Sequence, residues 1–249
     1  MDQEKEPELT RIEENVILLV KPEKVNKMLN KSKGNMYEFI THTWNAIKGE
    51  CYHDCSYCYM KRWGKLNPVR FDEKELKTDL GKGNFIFVGS SCDMFAKNIP
   101  DEWIKKTLKQ MEGFNNKYLL QTKNPDRVLD FIDCEVISDK TVICTTIESD
   151  SYYPKIMRNA PRPMQRSIAM QQLSEVIDTY VTIEPIMYFN LNHFVKMIKR
   201  CNPKQVNIGA DSGNNNLPEP SKEKVLQLID EIQKFTTIHN KKNLKRLLA

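Results

Sequence analysis

The sequence predicts an α/β fold built on a mostly parallel sheet, and three observations carry that prediction. Short β-rich runs alternate with amphipathic stretches, apolar residues in those stretches return every three or four positions, and turn or capping residues mark the junctions. Six strands are expected, at 39–44, 85–88, 118–121, 141–146, 179–184 and 205–208. Between them, Leu191, Phe194, Val195 and Ile198 form one helical stripe, and Val225, Leu228, Ile229 and Ile232 form another. Asn124 followed by Pro125 signals the start of a helix after the third strand. Asp101 is placed to cap the helix after the second, which closes at Gly113. Parallel strands need helices over both faces, so the architecture is either an open doubly wound sheet or a full or partial βα barrel. Both place chemistry in the loops at the C-terminal strand ends.

Composition narrows the class of protein. With 40% hydrophobic residues in 249, the chain can bury a large core, and disorder or a collagen-like chain is excluded. Apolar runs such as 16–20 and 85–88 reach about a quarter of the roughly 20 residues that cross a bilayer, so no membrane span is expected. The first residues are acidic where a secretory leader is basic and then apolar, so a cytoplasmic location with reduced cysteines is expected. Residues 1–37 are expected to be an N-terminal extension, 38–238 the βα domain, and 239–249 a basic tail carrying Lys241, Lys242, Lys245 and Arg246 without acidic partners. Lys and Arg number 38 against 33 Asp and Glu, a net charge of +5, which only weakly favours an anionic partner.

The cysteines are the most informative feature. Three of the seven, Cys51, Cys55 and Cys58, share one loop after the first expected strand in a C-x3-C-x2-C spacing. At this cysteine frequency chance yields such a triplet about 0.006 times per chain, so the spacing calls for a chemical reason. Three close thiolates can hold three irons of a [4Fe-4S] cluster, leaving the fourth iron for an outside ligand. The competing reading is a zinc site completed by His53 or a distant cysteine, although no second C-x2-C knuckle is present.

The triplet, with the aromatic Tyr57 before its last cysteine, resembles the motif of the radical S-adenosylmethionine (SAM) superfamily. The resemblance implies that Cys51, Cys55 and Cys58 hold a [4Fe-4S] cluster whose open iron takes the amino and carboxylate groups of SAM, with Tyr57 near the adenine. Reductive cleavage of SAM would then give methionine and a 5′-deoxyadenosyl radical that abstracts hydrogen from a substrate. Within the superfamily, Cys55-Ser-Tyr-Cys58-Tyr-Met resembles the spore photoproduct lyase branch, and Trp44-Asn45 before the loop resembles a set of phage proteins. The implied fold is a partial (β/α)6 TIM-like barrel, open on one side to large substrates.

The same resemblance assigns further residues. Ser90, Ser91 and Asp93 stand where many members carry Gly-Gly-Glu for the SAM amino group, with Asp93 as the acceptor. The lyase branch has Cys-x-Ser-Asp here, its cysteine returning a hydrogen atom to the product. Aligned on Asp93, that cysteine falls on Ser90 and its serine on Cys92, so Cys92 is a candidate hydrogen donor with an inert thiol as the alternative. Lys123 in Gln121-Thr122-Lys123 resembles the branch's lysine on the SAM carboxylate. Thr146 and Glu148 would reach the methionine and ribose ends of SAM. Arg166 closes a segment resembling the branch's Ala-Pro-then-arginine, and would meet the SAM carboxylate or the cluster side. Glu184 and Asp211 bring carboxylates to the rim of the sheet, unassigned between SAM and substrate.

The leading functional expectation is a radical SAM enzyme acting on a bulky substrate such as a nucleic-acid base or nucleoside. The loop aromatics Tyr52, Tyr59, Trp63, Tyr152 and Tyr153 are suited to stacking on bases. The alternatives are lyase-like DNA repair, or a non-catalytic iron-sulfur or zinc protein that binds nucleic acid. No second cluster motif is visible, so an external flavodoxin- or ferredoxin-like electron donor is implied.

Overall fold

The computed structural model describes residues 29–32 and 37–249; the apolar run at 16–20 lies outside the described residues. Among the described residues, one sheet contains eight strands in the order β1 (Asn30–Lys31), β2 (His42–Trp44), β5 (Phe85–Val88), β6 (Lys117–Thr122), β7 (Thr141–Thr146), β8 (Thr179–Ile183), β9 (Gln205–Ile208) and β10 (Thr237–Asn240). A separate small pair joins β3 (Ile47–Lys48) to β4 (Arg70–Phe71). From β2 to β10 every neighbouring pair is parallel, and β1 alone is antiparallel, at the edge. Strand order follows sequence order with no reversal. A doubly wound sheet would need a switch point, so the topology is that of a curled, partial barrel.

Two residue periods create its two faces. Outward strand residues such as Ile86, Leu120, Ile143, Val181 and Ile208 join the large core beneath the helices. The helices are α1 (Asp101–Glu112), the short α2 (Pro154–Met157), α3 (Pro163–Leu173), α4 (Leu191–Arg200), α5 (Lys222–Ile232) and the terminal α6 (Lys245–Leu248). The expected stripes hold: α4 buries Phe194 and Ile198, and α5 buries Val225, Leu228 and Ile232. Each of these helices starts at a side-chain cap, Asn190 on the His193 amide and Ser221 on the Lys224 amide. Inward residues Phe87, Leu119, Val142 and Cys144 form a second cluster closed by Tyr37 and Ile40. The segment before β2 therefore plugs the lower end of the lumen, and the open upper end faces the C-terminal loops.

Several expectations change. The first strand is shorter than 39–44, because Phe39 stacks on Tyr37 inside the lumen instead of extending the ladder. The segment opened by Asn124-Pro125 winds as a 3-10 helix, Pro125–Phe131, tied down by Arg127 to the carbonyls of Ala96 and Ile99 at 2.5 Å each. Asp101 is the first residue of α1, not its cap, which is Pro100; α1 still ends at Gly113. A seventh parallel strand, β10, crosses the expected start of the basic tail. Three of the tail's four cations also have acidic partners: Lys241 with Glu184, Lys242 with Glu38 and Arg246 with Glu219. Among the described residues no helix is long and apolar enough to cross a membrane.

Candidate active site

A cavity of about 970 Å³ occupies the open end of the barrel and extends across the C-terminal ends of the parallel strands. One wall is the cysteine loop. Its backbone makes consecutive turns, with the Asp54 amide on the Cys51 carbonyl, the Cys58 amide on Cys55 and the Lys61 amide on Cys58. Those turns put Cys51, Cys55 and Cys58 on the cavity wall. Gly49 lets the chain enter the loop: it has φ +108°, and a Cβ there would lie 2.5 Å from the Pro68 carbonyl oxygen.

Neighbouring segments clamp the loop from outside. The Ser56 amide donates to the Ile156 carbonyl and the Asn159 amide to that of His53, while Arg158 pairs with Asp54. From the sheet side, Asp93 does the anchoring. Its Oδ2 accepts from His53 Nε2 at 2.9 Å, Thr122 Oγ1 at 3.0 Å and the Lys123 amide at 2.8 Å, and its Oδ1 accepts from the Phe95 amide. Burial would raise the Asp93 pKa, but His53 and these donors outweigh it and hold the carboxyl below its ordinary value. Asp93 therefore lines the cavity with both oxygens accepting hydrogen bonds from the protein. Ser90 and Ser91 are held by Asn45, whose Oδ1 accepts from the Ser90 hydroxyl and the Ser91 amide. The Ser91 hydroxyl is buried without a partner.

Tyr57 and Lys123 form the next part of the wall. The Lys123 ammonium lies 5.4 Å from the centre of the Tyr57 ring and is in no salt bridge among the described residues. Burial works against its charge, yet Cys55 and Glu148 outweigh burial and raise its pKa, so Lys123 is a cation facing the cavity. The Tyr57 hydroxyl donates to Glu148, and burial together with the Glu148 charge pushes the phenol pKa well up. Glu148 and Arg166 form a fully buried pair at 2.8 Å, and Arg166 also donates to the carbonyls of Thr146 and Pro161. Although burial opposes ionisation of Glu148, Arg166 and Lys123 keep its pKa low. Neither Glu148 nor Arg166 lines the cavity: both stand behind Tyr57. Glu148 supports Tyr57, which does line it, and Arg166 keeps one buried nitrogen, Nη2, without a partner. Thr146 lines the cavity and accepts from Gln121 Nε2 at 3.1 Å.

Cys92 is buried against the cysteine loop, its thiol donating to the Glu50 carbonyl at 3.9 Å and interacting with the thiol of Cys51. The interaction between the two thiols lowers the Cys51 pKa and raises that of Cys92, so Cys51 carries the thiolate character of the two. Burial raises Cys55.

The opposite wall was only partly legible. Glu184 lines the cavity at the rim, where the sequence places it, and its partner is Lys241, which the sequence places in a basic tail. In the structure Lys241 follows β10 into the lumen, 2.5 Å from Glu184 Oε2 and 4.5 Å from the centre of the Tyr37 ring. Asn243 Nδ2 donates to Glu184 Oε1 at 2.7 Å. Gly209 makes room for this, since a Cβ there would meet the Glu184 carboxyl carbon at 2.9 Å. Asp211 also lines the cavity, with its oxygens bonded to the Gly213 and Asn215 amides and the Asn215 side chain. The signal for Lys241 was weak because β10 reads TIHN, with almost no apolar alternation.

Three solved structures share this architecture. A spore photoproduct lyase variant with bound AdoMet and dinucleoside spore photoproduct superposes with a TM-score of 0.63 at 10% identity, over 85% of this chain and 80% of that one. A second variant of that lyase gives 0.63 at 12% identity, over 88% and 80%. Methylornithine synthase gives 0.50 at 12% identity, over 79% of this chain and 63% of that one. The chain has the fold of these two enzymes. No family model matches the chain, and no curated protein matches it in sequence. At these identities the likeness establishes the fold, while the chemistry rests on the cavity and its residues.

Proposed function

We propose that this chain is a radical SAM enzyme that abstracts a hydrogen atom from a bulky substrate. The observation that carries this reading is the convergence of Cys51, Cys55 and Cys58 with Tyr57 and the cation Lys123, which is in no salt bridge among the described residues, on one wall of a single large cavity, in a fold shared with an AdoMet-bound spore photoproduct lyase. Among the described residues no three side chains converge as a single metal ion would require. A four-iron cube is held differently, one thiolate to each of three irons with the fourth left open, and the donor set of Cys51, Cys55 and Cys58 fits it. Cys51, Cys55 and Cys58 would hold the cluster, Lys123 would meet the SAM carboxylate, and Tyr57 would lie against the adenine. When bound, the cluster supplies the electron that cleaves SAM to methionine and a 5′-deoxyadenosyl radical.

The chain's own part is positioning. Asp93 and the 153–159 segment fix the loop from two sides, and the Glu148–Arg166 pair fixes Tyr57. The hydrophobic lower plug around Tyr37 closes the lumen beneath the reacting groups. At about 970 Å³ the cavity is at the upper end of the roughly 300–1,000 Å³ of small-molecule sites, room for SAM and a second molecule. An external flavodoxin- or ferredoxin-like protein would supply the electron.

The test is anaerobic reconstitution with iron and sulfide. The expected product is a brown protein with about four irons per chain that, once reduced, converts SAM to 5′-deoxyadenosine. Cys55→Ala should abolish that conversion while leaving a soluble, folded protein. A colourless zinc-containing protein without turnover would overturn the reading.

A further inference from the structure

The two ends of the cavity differ in charge, and its mouth differs from both. This inference rests on the proposed function and concerns the substrate. At the end away from the cysteines, the Lys241 ammonium is matched by Glu184 at 2.5 Å, and Asp211 is bonded to its own loop. The remaining polar groups there are neutral: the Tyr37 hydroxyl on Gln121 and Thr182 at 2.7 Å each, and Asn243 on Glu184. Such an end, with its one cation matched and the Asp211 carboxylate beside it, receives a flat group rich in hydrogen-bond donors and acceptors that carries no negative charge. A free carboxylate or phosphate would find no unmatched cation.

The mouth carries the unmatched charge. The 3-10 helix Tyr59–Trp63 and the residues after it run along the cavity opening, with Tyr59, Lys61, Arg62 and Lys65 among its lining. This strap is held at both sides, by the Tyr59 hydroxyl on the Ser90 carbonyl at 2.5 Å and by Arg62 on the Ser212 carbonyl across the opening. Lys61 is neutralised by Asp54 at 2.7 Å. Arg62 and Lys65 are in no salt bridge among the described residues, as the Ser212 carbonyl leaves the guanidinium charge unbalanced. Between them Trp63 is 78% exposed, more than any other large apolar side chain described. A lone exposed aromatic needs no explanation. An indole flanked by two unpaired cations, on a strap over a cavity whose far end is polar and offers no unmatched cation, is suited to a single-stranded nucleic acid.

We propose that the strap is a clasp for a single-stranded polynucleotide, with one base entering the cavity toward Lys241 and Glu184, the flanking phosphates on Arg62 and Lys65, and a neighbouring base stacked on Trp63. The substrate is then a nucleotide within a chain, its base taken out of the stack to reach the reactive site.

The experiment measures fluorescence anisotropy of a fluorescein-labelled 15-nucleotide mixed-sequence single strand, as DNA and as RNA, with the anaerobically reconstituted protein. Two phosphate contacts on a single strand predict binding about 7-fold weaker at 200 mM than at 50 mM salt. Arg62→Ala with Lys65→Ala should flatten that dependence. Trp63→Ala should weaken binding about 5-fold or more at every salt concentration with the slope kept, and Trp63→Phe should restore most of it. All three positions are in an exposed strap, and an unchanged thermal transition verifies that each variant is folded. Binding that ignores these substitutions, or no binding of either strand by the wild-type protein, overturns the proposal; binding of one strand type alone identifies which nucleic acid it takes and supports it. Iron content and SAM cleavage are measured separately on the wild-type protein. Their failure would refute the enzymatic reading without deciding the clasp, since strand binding needs only the folded chain.

Discussion

At the scale of single residues, the site depends on charges that are buried only because they are paired. Glu148 and Arg166 are both inaccessible to solvent, and their job is to hold Tyr57 and the carbonyl end of β7 at Thr146. Removing one member strands the other in an apolar interior, which typically costs about 3–5 kcal/mol. Glu148→Gln and Arg166→Met should each lower stability by about that much in urea unfolding. The double variant should lose less than the two together by about 1–3 kcal/mol, because it leaves no lone buried charge. Additive losses would show that the pair is not coupled. Asn45 makes a related point at lower energy. Its side chain fixes the turn after β5 through Ser90 and Ser91, a role that the Trp44-Asn45 dipeptide does not disclose.

At the scale of elements, Asp93 is the junction between the turn after β5, the end of β6 and the cysteine loop. Its pKa is depressed in the folded state, so the stability it adds is present above the ordinary carboxylate range near pH 4 and is lost as pH falls through the lower folded value. Asp93→Asn should therefore destabilise the protein at pH 7 by about 3–5 kcal/mol and should lose less further stability than wild type as pH falls from 5 toward 2. Denaturant midpoints across that range measure it, and parallel curves would reject the role. The Gly49 turn is under a steric constraint of a different kind. Gly49→Ala places a methyl group on the Pro68 carbonyl, so it should displace the cysteine loop or the strap and lower iron retention after reconstitution.

At the scale of the molecule, the barrel brings three cysteines from one loop, a lysine after β6 and an ion pair between β8 and the chain after β10 onto one cavity. Ligand binding should then report on the whole assembly. At SAM concentrations about 100-fold above its dissociation constant, the cluster-loaded protein should gain about 2.7 kcal/mol, a rise in Tm of roughly 5–10 °C for a chain of this size. The protein without iron should gain none, and Lys123→Gln should weaken SAM binding by at least about tenfold. An equal thermal shift with and without iron would contradict the proposed site.

Much of this was readable in the chain itself. The βα alternation, the α4 and α5 stripes, the C-x3-C-x2-C loop and the strand-end positions of Thr146 and Glu184 follow from local periodicity and motif spacing, while Tyr57, Ser90, Ser91 and Lys123, which line the same cavity, are named by the motif's resemblance. Those signals are local, and so survive in one dimension. The seventh strand, the inward reach of Lys241, the retreat of Glu148 and Arg166 behind Tyr57, and the engagement of Asp93 by His53 were decided only by tertiary structure. Each depends on which distant residue completes a buried polar group's hydrogen bonds, and sequence separations of 40 to 91 residues between Asp93 and His53 and between Tyr57 and Glu148 leave no local trace of that choice.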